Sequence, residues 1–295
     1  MHSETRQLIA VVVGCGMFIV FPQMLCAAPP ETAEPRSRDA EERDETMRLI
    51  DAELPNWKIW IGSDRDEALN LEPRAVLKWS NPGVGRVHGG VYLWTRNGRP
   101  EVVLSLFKVW EPLWGFQAEM HSLSQHEMTV ERDGMILWQP NQAGLSWEDV
   151  PDSQTPGGTA VRRLQQMRGL AKNFSASMID FRRNRSGDRQ ELRLLPQPIY
   201  RYESTDPDVL DGALFAFVFG TDPEVFLLLE ARRVNGTVRW RYALTRMNFD
   251  VLTVLYKDSE VWHVDRVKNE DRFHEPYILF NVPETAPDAA PRTKR

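Results

Sequence analysis

The sequence predicts an α+β protein made by tandem duplication, each unit one helix followed by an antiparallel β-meander of about five to seven strands. Three observations predict it. Asp211–Arg233, DGALFAFVFGTDPEVFLLLEARR, reads as two apolar strands joined by a Gly-Thr-Asp-Pro turn, and Gly89–Val109, GGVYLWTRNGRPEVVLSLFKV, repeats that pattern with one residue fewer in the turn. Gly90 matches Gly212, Gly98 matches Gly220, and Pro100-Glu101-Val102 matches Pro223-Glu224-Val225. Further matches stand in the same order on both sides of this pair: Met47-Arg48 with Met167-Arg168, Trp79 with Tyr202, Trp114 with Trp240, and Trp138 with Trp262. They lie roughly 120 to 126 residues apart, a period that means duplicated domains and not a solenoid. Finally, each strand series is preceded by an apolar stripe at helical spacing.

The elements follow in order. Arg6, the apolar run Leu8–Phe21 and the small residues at Cys26-Ala27-Ala28 have the layout of a secretory signal peptide over 1–28. The run is short for a membrane span, which needs about 20 apolar residues. Residues 29–45, rich in Pro, Ala, Glu and Arg, lack the large apolar side chains that would offset ordering entropy and read as a flexible spacer. The first unit is placed at 46–142. Met47, Ile50 and Leu54 predict a helix over roughly 41–54 that ends at Pro55. Strands follow at WKIWI, AVLKWS, GGVYLWTR, PEVVLSLFKVW, FQAEMHSL, MTVERDG and MILWQ, with Asn97-Gly98 and Asp133-Gly134 as hairpin turns. Residues 143–158 form the linker. In the second unit, 159–282, Val161, Leu164, Met167, Leu170, Ala171 and Phe174 predict a helix over roughly 159–173, followed by the matching strands. GALFAFVFG and EVFLLLEA are apolar on both faces, so both of their faces need cover. The tail 283–295 resembles the spacer in composition.

Composition narrows the function. Apolar residues make up 42% and charged residues 26%, the balance of a folded globular chain. The formal net charge of −6 excludes the electrostatic footprint of a nucleic-acid binder. Both cysteines, Cys15 and Cys26, fall in the signal segment, so the mature body has neither a disulfide nor a thiol nucleophile. G-x-S-x-G, a glycine-rich phosphate loop and C-x-x-C are all absent. No cofactor is implied.

QQMRGLAKNFSAS, ELRLLPQPIYRY, LDGALFAFVFGTDPEVFLLLEAR and SLSQHEMTVERDG resemble a family of exported planctomycete proteins over roughly Ala52–Trp262. The resemblance implies secretion. It brings with it no catalytic residue, cofactor or partner.

The candidate site residues come from two patterns. Tryptophan is abundant, with 10 in the chain. Those that recur between the halves, together with Trp79 and its match Tyr202, are assigned to the core. Trp57, Trp60, Trp94, Trp110 and Trp147 do not recur, and unrepeated flat aromatics suit a glycan or a protein partner. Glu119, His121 and His126 are the densest set of possible metal ligands, at a spacing that fits no helical metal motif. The recurrence of Glu101 and Glu224 after a proline points to a strand-start role.

The function expected is therefore an exported, secreted or periplasmic, non-catalytic binding or structural protein. Its partner would be extracellular polysaccharide or an envelope protein, with no nucleic acid and no membrane span after signal cleavage. The alternatives are a cell-envelope hydrolase with a single site near His121, which bound metal would reveal, and a carrier of an apolar ligand, which needs an open apolar cavity.

Overall fold

The computed structural model describes residues 35–283, apart from 63, 64, 66, 113, 182–185 and 269–271, and apart from the side chains of 35–37. The expected signal segment, the tail beyond Pro283 and the basic loop at 182–185 lie outside the described residues.

Helix α1 (Pro35–Glu53) and a single 3-10 turn lead into strands β1 (Trp57–Ile61), β2 (Glu67–Ala68), β3 (Asn70–Leu71) and β4 (Leu77–Ser80). The long hairpin β5 (Arg86–Arg96) and β6 (Arg99–Glu111) follows, then β7 (Gly115–Ser122), β8 (Met128–Arg132), β9 (Met135–Trp138) and β10 (Glu148–Asp149). Helix α2 (Ala160–Ala171) opens the second region, with β11 (Phe174–Asp180), β12 (Asp188–Leu194) and β13 (Tyr200–Tyr202). A second long hairpin, β14 (Val209–Phe219) and β15 (Asp222–Val234), precedes β16 (Thr237–Arg246), β17 (Val251–Tyr256), β18 (Ser259–Val264) and β19 (Tyr277–Asn281).

This corrects the expected fold class. The protein is mostly β, with 53% strand, 13% helix, two α-helices among the described residues and a sheet curled into a half-barrel, and it is not a tandem helix-plus-meander. A meander pairs sequence neighbours, whereas here β1 pairs with β8 across the intervening hairpin and β11 pairs with β17. The strands form a four-stranded sheet β2-β1-β8-β9, a six-stranded sheet β19-β7-β6-β5-β3 with β4 on β5, and a nine-stranded sheet β10-β16-β15-β14-β12-β11-β17-β18 with β13 on β14. The physical reason is cover. The long hairpins are buried on both faces. Among the described residues, α1 and α2 are the only α-helices available to lie on them, so short strands fold over to complete the outer layers.

Three apolar layers result. Ile50, Leu54, Trp57, Ile59, Leu104, Met120, Val130 and Trp138 fill the space beneath α1 and the four-stranded sheet. Met167, Phe174, Met178, Phe215, Leu227, Leu229 and Val254 do the same beneath α2. Between them the two hairpins meet face to face through Val91, Leu93, Val103, Leu214, Phe226 and Leu228. Period-2 alternation sends successive residues of β15 to opposite layers, with Leu227 toward α2 and Leu228 toward the facing hairpin.

Several local expectations meet the structure differently. Helix α1 begins at Pro35, inside the expected spacer 29–45. Its exposed turns carry Arg38–Glu42 and Asp39–Arg43 pairs, and Glu42 also pairs with Arg86 on β5. Helix α2 starts where expected, because Thr159 caps it by accepting the Arg162 N–H. Asn97-Gly98, Asp133-Gly134 and Asn235-Gly236 all have positive φ, as two-residue hairpin turns require. β19, which falls within the span 159–282 read as the second unit, returns to pair with β7 in the first region. Gly212 lies under the Tyr202 ring, and the residue placed likewise under Trp79 is Gly89, not Gly90. Among the described residues no helix is long and apolar enough to cross a membrane.

Candidate functional site

A cavity of about 430 Å³ opens at one end of the layer between the hairpins. Its apolar walls include Trp79 of β4, Phe107 of β6, Met247 and Phe249 after β16, and Leu279 of β19. Its polar groups are Glu119 of β7, Asp222 and Glu224 of β15, Asn248 and Gln117.

Strand alternation positions these acids. On β7, Phe116, Ala118 and Met120 enter the layer beneath α1, which turns Gln117 and Glu119 toward the facing hairpin. On β15, Val225 and Leu227 pack toward α2, which turns Glu224 and Phe226 inward. Trp79 is held in place by donating its indole N–H to Ser105 Oγ at 3.1 Å, and it packs at a tilt against Phe107.

The carboxylates are held by donors. The Tyr277 hydroxyl donates to Glu119, and the Asn248 amide donates to Glu224. Asp222 accepts from Asn81 at 2.8 Å. Burial together with Glu119 pushes the Tyr277 hydroxyl well above the usual tyrosine range, so it stays protonated and can donate. Arg246 fixes the loop that carries Asn248: its guanidinium donates to the backbone carbonyls of Asn248, Asp250 and Asp265 at 2.8, 2.5 and 3.0 Å. It also lies against the Tyr277 ring. Burial lowers the Arg246 pKa from its ordinary value.

The residues singled out from sequence do not come together. Trp57 and Trp94 are buried in the layer beneath α1. The Trp57 indole donates to Glu53 at 2.7 Å. Trp60 is half-buried under the Arg65 guanidinium. Trp110 donates to Thr46 Oγ1 on α1 and stands edge-on to Trp114. Trp147 lies at the other end of the inter-hairpin layer, beneath Arg99. Conversely, two tryptophans assigned to the core are not simply core: Trp79 lines the cavity, and Trp114 is 43% exposed.

The metal candidates separate as well. His121 is buried beside Tyr277 and held by the Ser122 carbonyl, so its Nδ1 carries the proton. Burial, with Arg246 and Arg272 nearby, pushes it down to about 4, and it is neutral at ordinary pH. His126 is exposed in the turn after β7, and Glu119 is engaged by Tyr277. Among the described residues no three His, Cys, Asp or Glu side chains form a group that could hold a metal ion.

Sequence reading missed Glu224, Asn248 and Tyr277. Glu224 looked equivalent to Glu101, yet Glu101 is tied to Arg99 at the far end of the interface while Glu224 borders the cavity. The available signal was the alternation Phe116-Gln117-Ala118-Glu119-Met120, which marks one polar face on the strand. Comparison of the chain with protein-family models, with curated proteins and with solved structures gives no match.

Proposed function

We propose that this chain is an exported, non-catalytic binding protein that takes a small ligand in the cavity between its two long hairpins. One observation carries the reading: the cavity combines apolar walls of Trp79, Phe107 and Phe249 with the carboxylates Glu119, Asp222 and Glu224. Its size lies within the usual span of small-molecule sites, about 300–1,000 Å³, and a few placed polar groups on apolar walls are what such sites present. Carboxylates accept hydrogen bonds, so the ligand they favour is rich in donors, an amine or a polyol with an apolar flank.

Binding is favoured over hydrolysis by the state of the nearby groups. His121 is neutral and bound to a backbone carbonyl, and Glu119 and Glu224 accept from Tyr277 and Asn248. These contacts hold charge in place and activate no nucleophile. Export rests on the Leu8–Phe21 run, the cysteine-free body and the resemblance to exported proteins.

The test is calorimetric titration of the purified chain with primary amines, amino acids and polyols, with tryptophan fluorescence as a second readout. Saturable binding is expected, weakened about tenfold by Glu224→Gln, as loss of a hydrogen bond to a charged group implies. The fluorescence response should be lost in Trp79→Phe. Absence of saturable binding across the panel would overturn the reading.

A further inference from the structure

The cavity does not end at its carboxylates. Phe249 and Leu279 line it on one side and on the other line a groove of about 1070 Å³ that carries Arg266, Lys268 and Arg272. Charge is therefore sorted along a shared apolar wall. Among the described residues the cavity has three carboxylates and no cationic side chain, whereas the groove has three cationic side chains against the single carboxylate of Asp265.

Tyr277 marks the divide. Its hydroxyl serves Glu119 in the cavity, while its ring lines the groove next to the guanidinium of Arg272. Arg266 pairs with Asp250 at 3.2 Å, and Arg246 is spent on backbone carbonyls. Lys268, which is exposed, and the outer nitrogens of Arg272 are thus the cationic groups best placed to meet an incoming anion. The Nε of Arg272 donates to the Tyr277 carbonyl at 2.9 Å, which orients the rest of its fork.

We infer that the ligand is a zwitterion with a cationic head and an anionic end joined by an apolar spine, its head among Glu119, Asp222 and Glu224 and its anionic end at Lys268 and Arg272. This rests on the cavity reading above and adds the ligand's chemical class. Opposite charges fixed on either side of the shared residues Phe249 and Leu279 favour a molecule carrying both and oppose one carrying the wrong single charge at either end.

The test uses γ-aminobutanoate, ε-aminohexanoate, ω-aminooctanoate and ω-aminododecanoate as probes, with octylamine and octanoate as single-charge controls, all by calorimetry on the full chain. One member of the amino-acid series should bind at least about tenfold more tightly than either control, because each engaged charge contributes on that order. Lys268→Glu, at an exposed position, should abolish that preference while leaving octylamine binding intact or improved. Glu224→Gln should weaken the amino acids and octylamine alike. Its fold is checked by near-UV circular dichroism, with Asp222→Asn as a second variant. Octylamine matching the best amino acid, or octanoate binding best, would overturn the zwitterion while leaving the cavity as a site. Failure of every probe, the polyols and amines of the previous titration included, would instead overturn the cavity reading itself.

Discussion

The two regions close their strands differently. After α2, β12 pairs through Asp188–Leu192 with β11 and continues through Arg193-Leu194 onto β14, so the second region is a single nine-stranded sheet. After α1, the stretch in the same place is broken: Glu67-Ala68 pairs with β1, Asn70-Leu71 pairs with β5, and Leu69 between them turns inward. The first region is therefore split into two sheets, and its larger one takes its edge strand, β19, from the end of the chain. A few residues of uninterrupted strand decide whether a sheet is continuous or divided. The divided region is the one that depends on a distant segment.

The largest expected effect tests that dependence. A chain ending at Glu275 removes β19, strips the edge of β7 and uncovers the layer that Val282 helps to seal. Amide hydrogen exchange should show protection lost through β6 and β7 and kept through β14–β16. Equal loss in both regions would mean that the two do not differ in this way.

The helices are latched with opposite polarity, which gives the second test. On α1 the acid Glu53 receives Arg132 of β8, at 2.5 and 3.0 Å. On α2 the base Arg163 reaches Asp211 of β14 at 2.8 Å, which Arg201 also contacts. Glu53→Gln should cost about 3 kcal/mol by chemical denaturation, because Arg132 is left buried with only the more exposed Asp133 as an ionic partner. Asp211→Asn should cost less, about 1–2 kcal/mol, since Arg201 is 30% exposed and can turn to water. The reverse order would show that the number of partners outweighs their burial.

A smaller effect separates the inner faces of β7 and β16. The first presents His121, and the second runs into Met247, which does not titrate. Because the folded pKa of His121 is depressed to about 4, the unfolded chain takes up the proton first as pH falls. Its contribution to stability is complete above about pH 6.5 and is lost progressively toward pH 4, by at most on the order of 3 kcal/mol. His121→Asn keeps a donor for the Ser122 carbonyl and should flatten that part of the stability–pH curve. An unchanged slope would assign it to other groups.

Much of the local structure was legible in the sequence. Asn97-Gly98 marks its hairpin because two positive φ values suit few other residue pairs, and the stripe Leu164, Met167, Ala171 marks α2. The pairing of β1 with β8 was not legible, because nothing in WKIWI or MTVER names a partner some seventy residues away. The site was hidden for a related reason. Glu119 and Glu224 sit on strands whose alternation shows two faces but not which neighbour covers each, and Tyr277 reaches them only through a pairing formed by the end of the chain. Counting unrepeated tryptophans could not find this, since Trp57 and Trp94 serve packing while Trp79 borders the cavity.

The return of β19 to β7 also sets an order of assembly during synthesis. Tyr277 follows β7 by some hundred and fifty residues, so the larger sheet of the first region must wait, its edge unpaired, while those residues are made. A product cut short by premature termination would lack both the hydroxyl that serves Glu119 and the wall formed by Leu279. Only a chain translated past β19 can present the pocket, so copies that stop short of it would not compete for whatever it binds.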